Sequence, residues 1–174
     1  MNKIKIVSVI GPSKNKCSKE IYELGMALGK SLIDNRYFIV CGGMSGVMEA
    51  VCKGARQSSK YIQGCTIGIL PTMNSNDANK YCDIIIPSGL GVARNQLVIN
   101  SGDVIVALGG GSGTLSEIAF AWQFGKPIIC YSGLGGWSEK LAGALVDESK
   151  RDKIIEAKSL DDLLKQIKLT ITTS

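Results

Sequence analysis

"VALGGGSGTLSEIAFAW", residues 106–122, passes from an apolar run through four glycines in five positions into a helix-like pattern. Leu115, Ile118, Ala119 and Trp122 recur there at helical spacing. A strand, a glycine turn and a helix in immediate succession form the basic unit of an α/β protein. The same alternation extends in both directions from this stretch. "KIKIVSVIG" precedes a helical face of Ile21, Leu24, Leu28 and Leu32, and "YFIVCGG" precedes Met48, Val51, Cys52 and Ala55. "CTIGILP", "CDIIIPSG", "DVIVALGG" and "KPIICYSG" read as further strands, with a helix over "GVARNQLVINS" and an amphipathic closing helix over "SLDDLLKQIKL". The polar stretch "TMNSNDANKY" reads as a loop, and Leu115, Ile118, Ala119 and Trp122 as the buried stripe of their helix.

Near-continuous Ile and Val strands joined by helices predict a mostly parallel sheet covered on both faces. The expected fold is a Rossmann-like three-layer α/β sandwich, formed by residues 1–174 as one domain. In such sheets ligands bind beyond the carboxyl ends of the strands. Four predicted strands end there in glycine-bearing turns: Gly11, Gly42 with Gly43, Gly89 with Gly91, and Gly109–Gly111.

Composition narrows the chemistry. Of 174 residues 45% are hydrophobic and 20% charged, enough to bury a core. The apolar runs are far too short to span a bilayer, and the alternating start "MNKIKIVSVIGPS" reads as a strand rather than a signal peptide. The expected setting is the cytoplasm, with no membrane partner. The net charge of +5 is scattered rather than blocked, which points away from nucleic acid and suits a small anion. Six dispersed cysteines without a C-x-x-C pair read as buried, reduced thiols. No histidine is present, which excludes Ser-His-Asp and Cys-His nucleophile systems and argues against zinc. The expected metal content is none.

Glycines at a strand end let a ligand approach the backbone amides, and a helix starting there offers unsatisfied N–H groups to a phosphate. Gly110, Gly111, Gly113 and Thr114, with the hydroxyl of Ser112, have that layout. A plain tight turn is the competing reading. G-x-x-x-x-G-K-[ST] is absent and G-x-G-x-x-G fails at Thr114, so neither a P-loop nor a conventional dinucleotide site is expected. Gly11, Ser13, Gly42 and Gly43 belong to the neighbouring turns and are candidate ligand contacts.

Two charged residues stand out. Thr114-x-x-Glu117 fits a capping box, yet Glu117, off the apolar stripe, could equally stabilise an oxocarbenium ion or orient water. Arg94 shares a predicted helical face with Leu97, Val98 and Ser101, where a guanidinium either snorkels, pairs with an acid or grips a phosphate. Asn95 beside it could read a hydroxyl or a base edge. No lysine lies in or beside the glycine turns as a Schiff-base residue would, Lys14 and Lys126 being the nearest candidates and neither framed that way.

These motifs resemble those of the LOG (Lonely Guy) superfamily, whose members often carry a lysine decarboxylase label. "GGGSGTLSE" is similar to its PGGxGTxxE motif, and "CGGMSGVMEAVCKGA" to its second-strand turn, with Arg94 at the family's arginine. The resemblance runs from about Ile4 to Ser132. It implies phosphate binding by Gly110, Gly111, Gly113 and Thr114. In hydrolytic members the arginine and glutamate, here Arg94 and Glu117, cleave nucleoside 5′-monophosphates to free base and ribose 5-phosphate without a cofactor. Asn95 stands where those enzymes carry lysine, and Gly109 replaces their proline. "ARN" with "GGGSGTLSE" looks more like the branch of molybdenum-cofactor carrier proteins, which implies the molybdenum cofactor as a bound ligand. The resemblance also implies a homo-oligomer, a dimer or tetramer.

Overall fold

The computed structural model describes residues 4–148 and 152–173. The apolar runs form seven parallel strands: β1 (Ile6–Ile10), β2 (Phe38–Cys41), β3 (Thr66–Leu70), β4 (Ile84–Pro87), β5 (Val104–Leu108), β6 (Ile128–Tyr131) and β7 (Ile155–Ala157). They build one sheet in the order β4-β3-β2-β1-β5-β6-β7. The Rossmann-like expectation holds, and the sheet is parallel throughout.

Alternation along the strands divides their side chains between two cores. Val7, Val9, Ile39, Val104, Val106 and Leu108 pack under α1 (Lys19–Asp34), α2 (Val47–Ala55) and α6 (Leu160–Thr173). Ile10, Val40, Ile105, Ala107 and Ile128 face α3 (Asn95–Ser101) and α4 (Ser112–Gln123), with α5 (Gly136–Leu141) at the margin of the same core. Each fully buried aliphatic contributes about 1.5–3 kcal/mol over its exposed state, so both faces of the sheet need their helices. Ser18 starts α1 by accepting a hydrogen bond from the Ile21 N–H.

Several sequence expectations shift in detail. The stretch 91–101 is a 3₁₀ turn (Gly91–Arg94) leading into α3, and its buried face is Arg94, Asn95, Val98 and Ile99. Leu97 and Ser101 point outward. The stripe of α4 is also rotated. Thr114, Glu117, Ile118, Ala121 and Trp122 are buried, whereas Leu115 and Ala119 are half-buried. Strand β7 and helix α5 carry too few residues to show a period, and the sequence did not announce them. Among the cysteines Cys17 is half-buried and the other five are buried, all as free thiols.

The chain runs outward from β1 to β4 and then returns to place β5 on the other side of β1. This reversal opens a crevice at the carboxyl ends of β1 and β5, where parallel sheets bind ligands.

Candidate functional site

A pocket of about 300 Å³ occupies that crevice. Its walls come from the end of β1 (Gly11, Ser13), the end of β2 (Gly42), the entry to α3 (Arg94, Asn95) and the first turns of α4 (Gly111, Ser112, Gly113, Thr114, Glu117). Ten of the twelve candidate residues therefore converge. Gly43 and Gly110 lie behind the lining. The Gly43 carbonyl accepts a hydrogen bond from the Asn79 N–H at 2.8 Å, and the Gly110 carbonyl accepts one from the Trp137 N–H at 3.0 Å.

Gly110 shapes the turn from behind. Its φ of +98° lies in the region that side chains avoid, and a Cβ there would overlap the Thr114 side chain. The segment around α5 braces the same turn. Ser138 Oγ accepts from the Gly109 N–H at 2.6 Å and donates to the Tyr131 carbonyl at 2.8 Å. Ser138 N–H donates to the Gly109 carbonyl at 3.1 Å.

At the start of α4 no side chain caps the helix, and the residue before it is Gly111. The capping box read from Thr114 and Glu117 does not form. Thr114 falls inside the first turn, and Glu117 is turned inward to Arg94. The N–H groups of Ser112, Gly113 and Thr114 thus belong to pocket-lining residues and carry the positive end of the helix dipole.

Arg94 and Glu117 form the inner wall. Arg94 is 9% exposed and Glu117 7%, and Arg94 Nη1 lies 3.5 Å from Glu117 Oε1. Burial pushes the Glu117 carboxyl up to about 7, against the opposing pull of Arg94. One long ion-pair contact leaves much of the guanidinium unused, and its buried Nε makes no hydrogen bond among the described residues. Buried donors are costly unless satisfied. Gly42 makes room for this arginine, since a Cβ at position 42 would overlap the guanidinium. Asn95 is tied to α4 through its Nδ2, which donates to Ser116 Oγ at 3.0 Å.

Lys16, Met48 and Val92 also line the pocket. The reading that no lysine lies beside the glycine turns is corrected by Lys16. A 3₁₀ turn over Lys14–Lys16 brings its Nζ within 3.5 Å of where a Gly111 Cβ would stand. No periodicity marks this residue, because its place depends on how the chain leaves β1. Chemically, the site offers an uncapped helix start, an ammonium group and a guanidinium around one carboxyl group. That set favours an anion with a hydroxylated or heterocyclic extension.

Residues 4–164 match the SLOG cluster4 family. The structure of the molybdenum cofactor binding protein from Rippkaea orientalis superposes with a TM-score of 0.84 at 33% identity, covering 97% of this chain and 98% of that one. The molybdenum cofactor carrier protein from Chlamydomonas reinhardtii superposes with a TM-score of 0.81 at 30% identity, covering 97% and 99%. Cytokinin riboside 5′-monophosphate phosphoribohydrolase from Mycobacterium marinum is 27% identical over 161 residues, 83% of this chain and 84% of the enzyme.

Proposed function

The chain belongs to the SLOG cluster4 family, and from that premise we propose that it binds a phosphorylated heterocyclic ligand of the molybdopterin type. The phosphate sits on the Gly111–Thr114 turn. The observation that carries this reading is the uncapped start of α4 facing Lys16 and Arg94 across one pocket. The likeness to carrier proteins over nearly the whole length of both chains supports the ligand class. At about 300 Å³ the pocket suits a phosphorylated head group, so a multi-ring pterin would extend past its mouth. Gly11, Ser13 and Gly42 line the approach, with Gly43 and Gly110 shaping the turns from behind. Asn95 contacts the heterocycle or a ligand hydroxyl.

One feature favours a second reading, hydrolysis of nucleoside 5′-monophosphates. With its carboxyl raised to about 7, Glu117 would exchange a proton near neutral pH, as a general acid or base requires. In that reading the carboxylate faces the ribosyl cation while Arg94 orients the ligand. No bound cofactor takes part.

The protein is further proposed to act as a homo-oligomer, a dimer or tetramer, in the cytoplasm, without nucleic-acid or membrane partners. The exposed isoleucines of β4 support self-association. No helix among the described residues is long and apolar enough to cross a membrane.

Incubation with a panel of nucleoside 5′-monophosphates separates the two readings, with free base and ribose 5-phosphate assayed and ligand binding followed by calorimetry. The expected result is binding that requires the phosphate, with no base released. Arg94→Ala should weaken that binding about 10- to 100-fold, the loss of one charged contact. Release that disappears in Glu117→Ala would replace the binder by the hydrolase. No binding of any phosphorylated compound would remove the phosphate cradle itself.

A further inference from the structure

Three of the six cysteines, dispersed in sequence, meet in space. Cys41 ends β2, Cys52 lies on α2, and Cys82 precedes β4. Cys41 Sγ stands 3.8 Å from Cys52 Sγ, and Cys52 Sγ stands 3.6 Å from Cys82 Sγ. All three sulfurs lie within 4.8 Å of one another. These are contact distances, not bonds. A centre that carries a lone pair, held by three thiolates at roughly 2.3 Å each, sits above their plane and keeps the sulfurs roughly 3.5 Å apart. The 3.8 Å and 3.6 Å separations already lie close to that size.

The cluster meets both donors and acceptors: the Met48 and Gly43 carbonyls face Cys41 Sγ and Cys82 Sγ at 3.7 and 3.9 Å. The Gly43 N–H donates to Cys41 Sγ at 3.4 Å, and Asn79 Nδ2 donates to Cys82 Sγ at 3.3 Å. The orientation of Asn79 is fixed. Its Nδ2 donates to the carbonyls of Gly43 and Met44, and its Oδ1 accepts from the Tyr81 N–H at 3.1 Å. The two N–H donors of Nδ2 are shared among these carbonyls and Cys82 Sγ, and the amide oxygen, turned to the Tyr81 N–H, is unavailable as a fourth ligand. Cys41 and Cys52 are fully buried, while Cys82 is 7% exposed and gives the cluster its access.

Charge selects the ligand. No lysine or arginine donates a hydrogen bond to these sulfurs among the described residues. Three thiolates around a monovalent ion would leave two negative charges in the core, and around a divalent ion one. Around a trivalent centre the complex is neutral, which removes the cost of a buried net charge. We propose that Cys41, Cys52 and Cys82 form a three-thiolate site for a trivalent metalloid hydroxide of the arsenite or antimonite class. In the reaction, three thiol S–H bonds and three metalloid–oxygen bonds break. Three metalloid–sulfur bonds form, and three waters leave. No oxidant or reductant is consumed. The site is separate from the phosphate pocket, although Cys41 directly precedes Gly42 of its wall.

The test is native mass spectrometry of the reduced protein with sodium arsenite. The expected product carries one arsenic and has lost three protons. It should form in Cys17→Ser and Cys130→Ser and disappear in Cys82→Ser, whose fold is checked by its melting transition. Arsenic X-ray absorption on the wild-type adduct provides a reading independent of any variant. Three sulfur neighbours and no oxygen support the site. Absence of an adduct, an arsenic that retains oxygen, or an adduct that persists in Cys82→Ser would each show the cysteines to be a hydrogen-bonded patch of core and nothing more.

Discussion

Glu117 holds a carboxyl group where solvent is nearly absent, and Arg94 offsets only part of that cost. Burial raises its pKa from 4.5 to about 7, so the folded state keeps the proton more tightly than the unfolded chain does. The resulting contribution to stability is complete below the unfolded value and fades as pH rises through about 7. Ligand binding should follow the same sign. A phosphate monoester meets a neutral Glu117 at pH 6 and a carboxylate at pH 8. We expect its affinity, relative to a Glu117→Gln variant, to fall by about 3- to 10-fold across that interval, as repulsion between partly screened charges predicts. Calorimetry at both pH values on both proteins measures this. The comparison also removes the ionisation of the phosphate itself. Identical pH slopes would mean that Glu117 does not sense the ligand. Arg94 was legible in the sequence because it places a charge among apolar neighbours, and Glu117 because it stands three residues after Thr114 in the first turn beyond the glycines. Lys16 was not, since only the path of the chain after β1 brings it to Gly111.

Helix α4 shows how two glycines in one turn can have opposite roles. Gly110 is required by its backbone, with φ at +98° and no space for a Cβ. Gly113, inside the first turn of α4, has no such constraint, and a Cβ there would meet nothing within 4 Å. Glycine costs a helix about 0.5–1 kcal/mol relative to alanine, so structure alone would prefer alanine at this position. The role proposed for Gly113 is access for the ligand, since it lines the pocket beside Ser112 and Thr114. Gly113→Ala should therefore raise the melting temperature slightly and weaken binding of a phosphorylated ligand by about tenfold or more. Thermal melts and calorimetry on the same preparation check both halves. A stabilised variant with unchanged affinity would place the phosphate elsewhere. The element was readable from its glycines and helical period. Its buried face was not, because the Arg94 partner that turns Glu117 inward comes from the entry to α3. The cysteine cluster was hidden for the same reason, since β2, α2 and the start of β4 converge only in the fold.

At the scale of the whole molecule, the sequence showed that strands and helices alternate, and a parallel sheet followed from strands made almost wholly of Ile and Val. Strand order was not legible, because no local pattern states that β5 returns to the side of β1. Yet that return makes the crevice in which the pocket lies. The same order leaves β4 at one edge of the sheet. Its Pro87 suits an edge, where the missing N–H costs no ladder bond. Its isoleucines suit water poorly. Ile84 and Ile86 are each 43% exposed on one face, and Ile85 is 37% exposed on the other. Unpaired edges bearing apolar residues invite a second chain, and monomeric proteins usually protect them with charge. The proposed assembly of at least two copies would cover β4 and account for this strand. Light scattering behind size exclusion should then give a dimer or tetramer for the wild type. Ile84→Lys with Ile86→Lys should give a monomer with its melting temperature lowered only by the lost association, since exposed substitutions cost a monomer about 0.5 kcal/mol or less each. A monomeric wild type would refute self-association. An oligomer unmoved by the two lysines would place the contact on another face, leaving the isoleucines of β4 without a partner in the assembly.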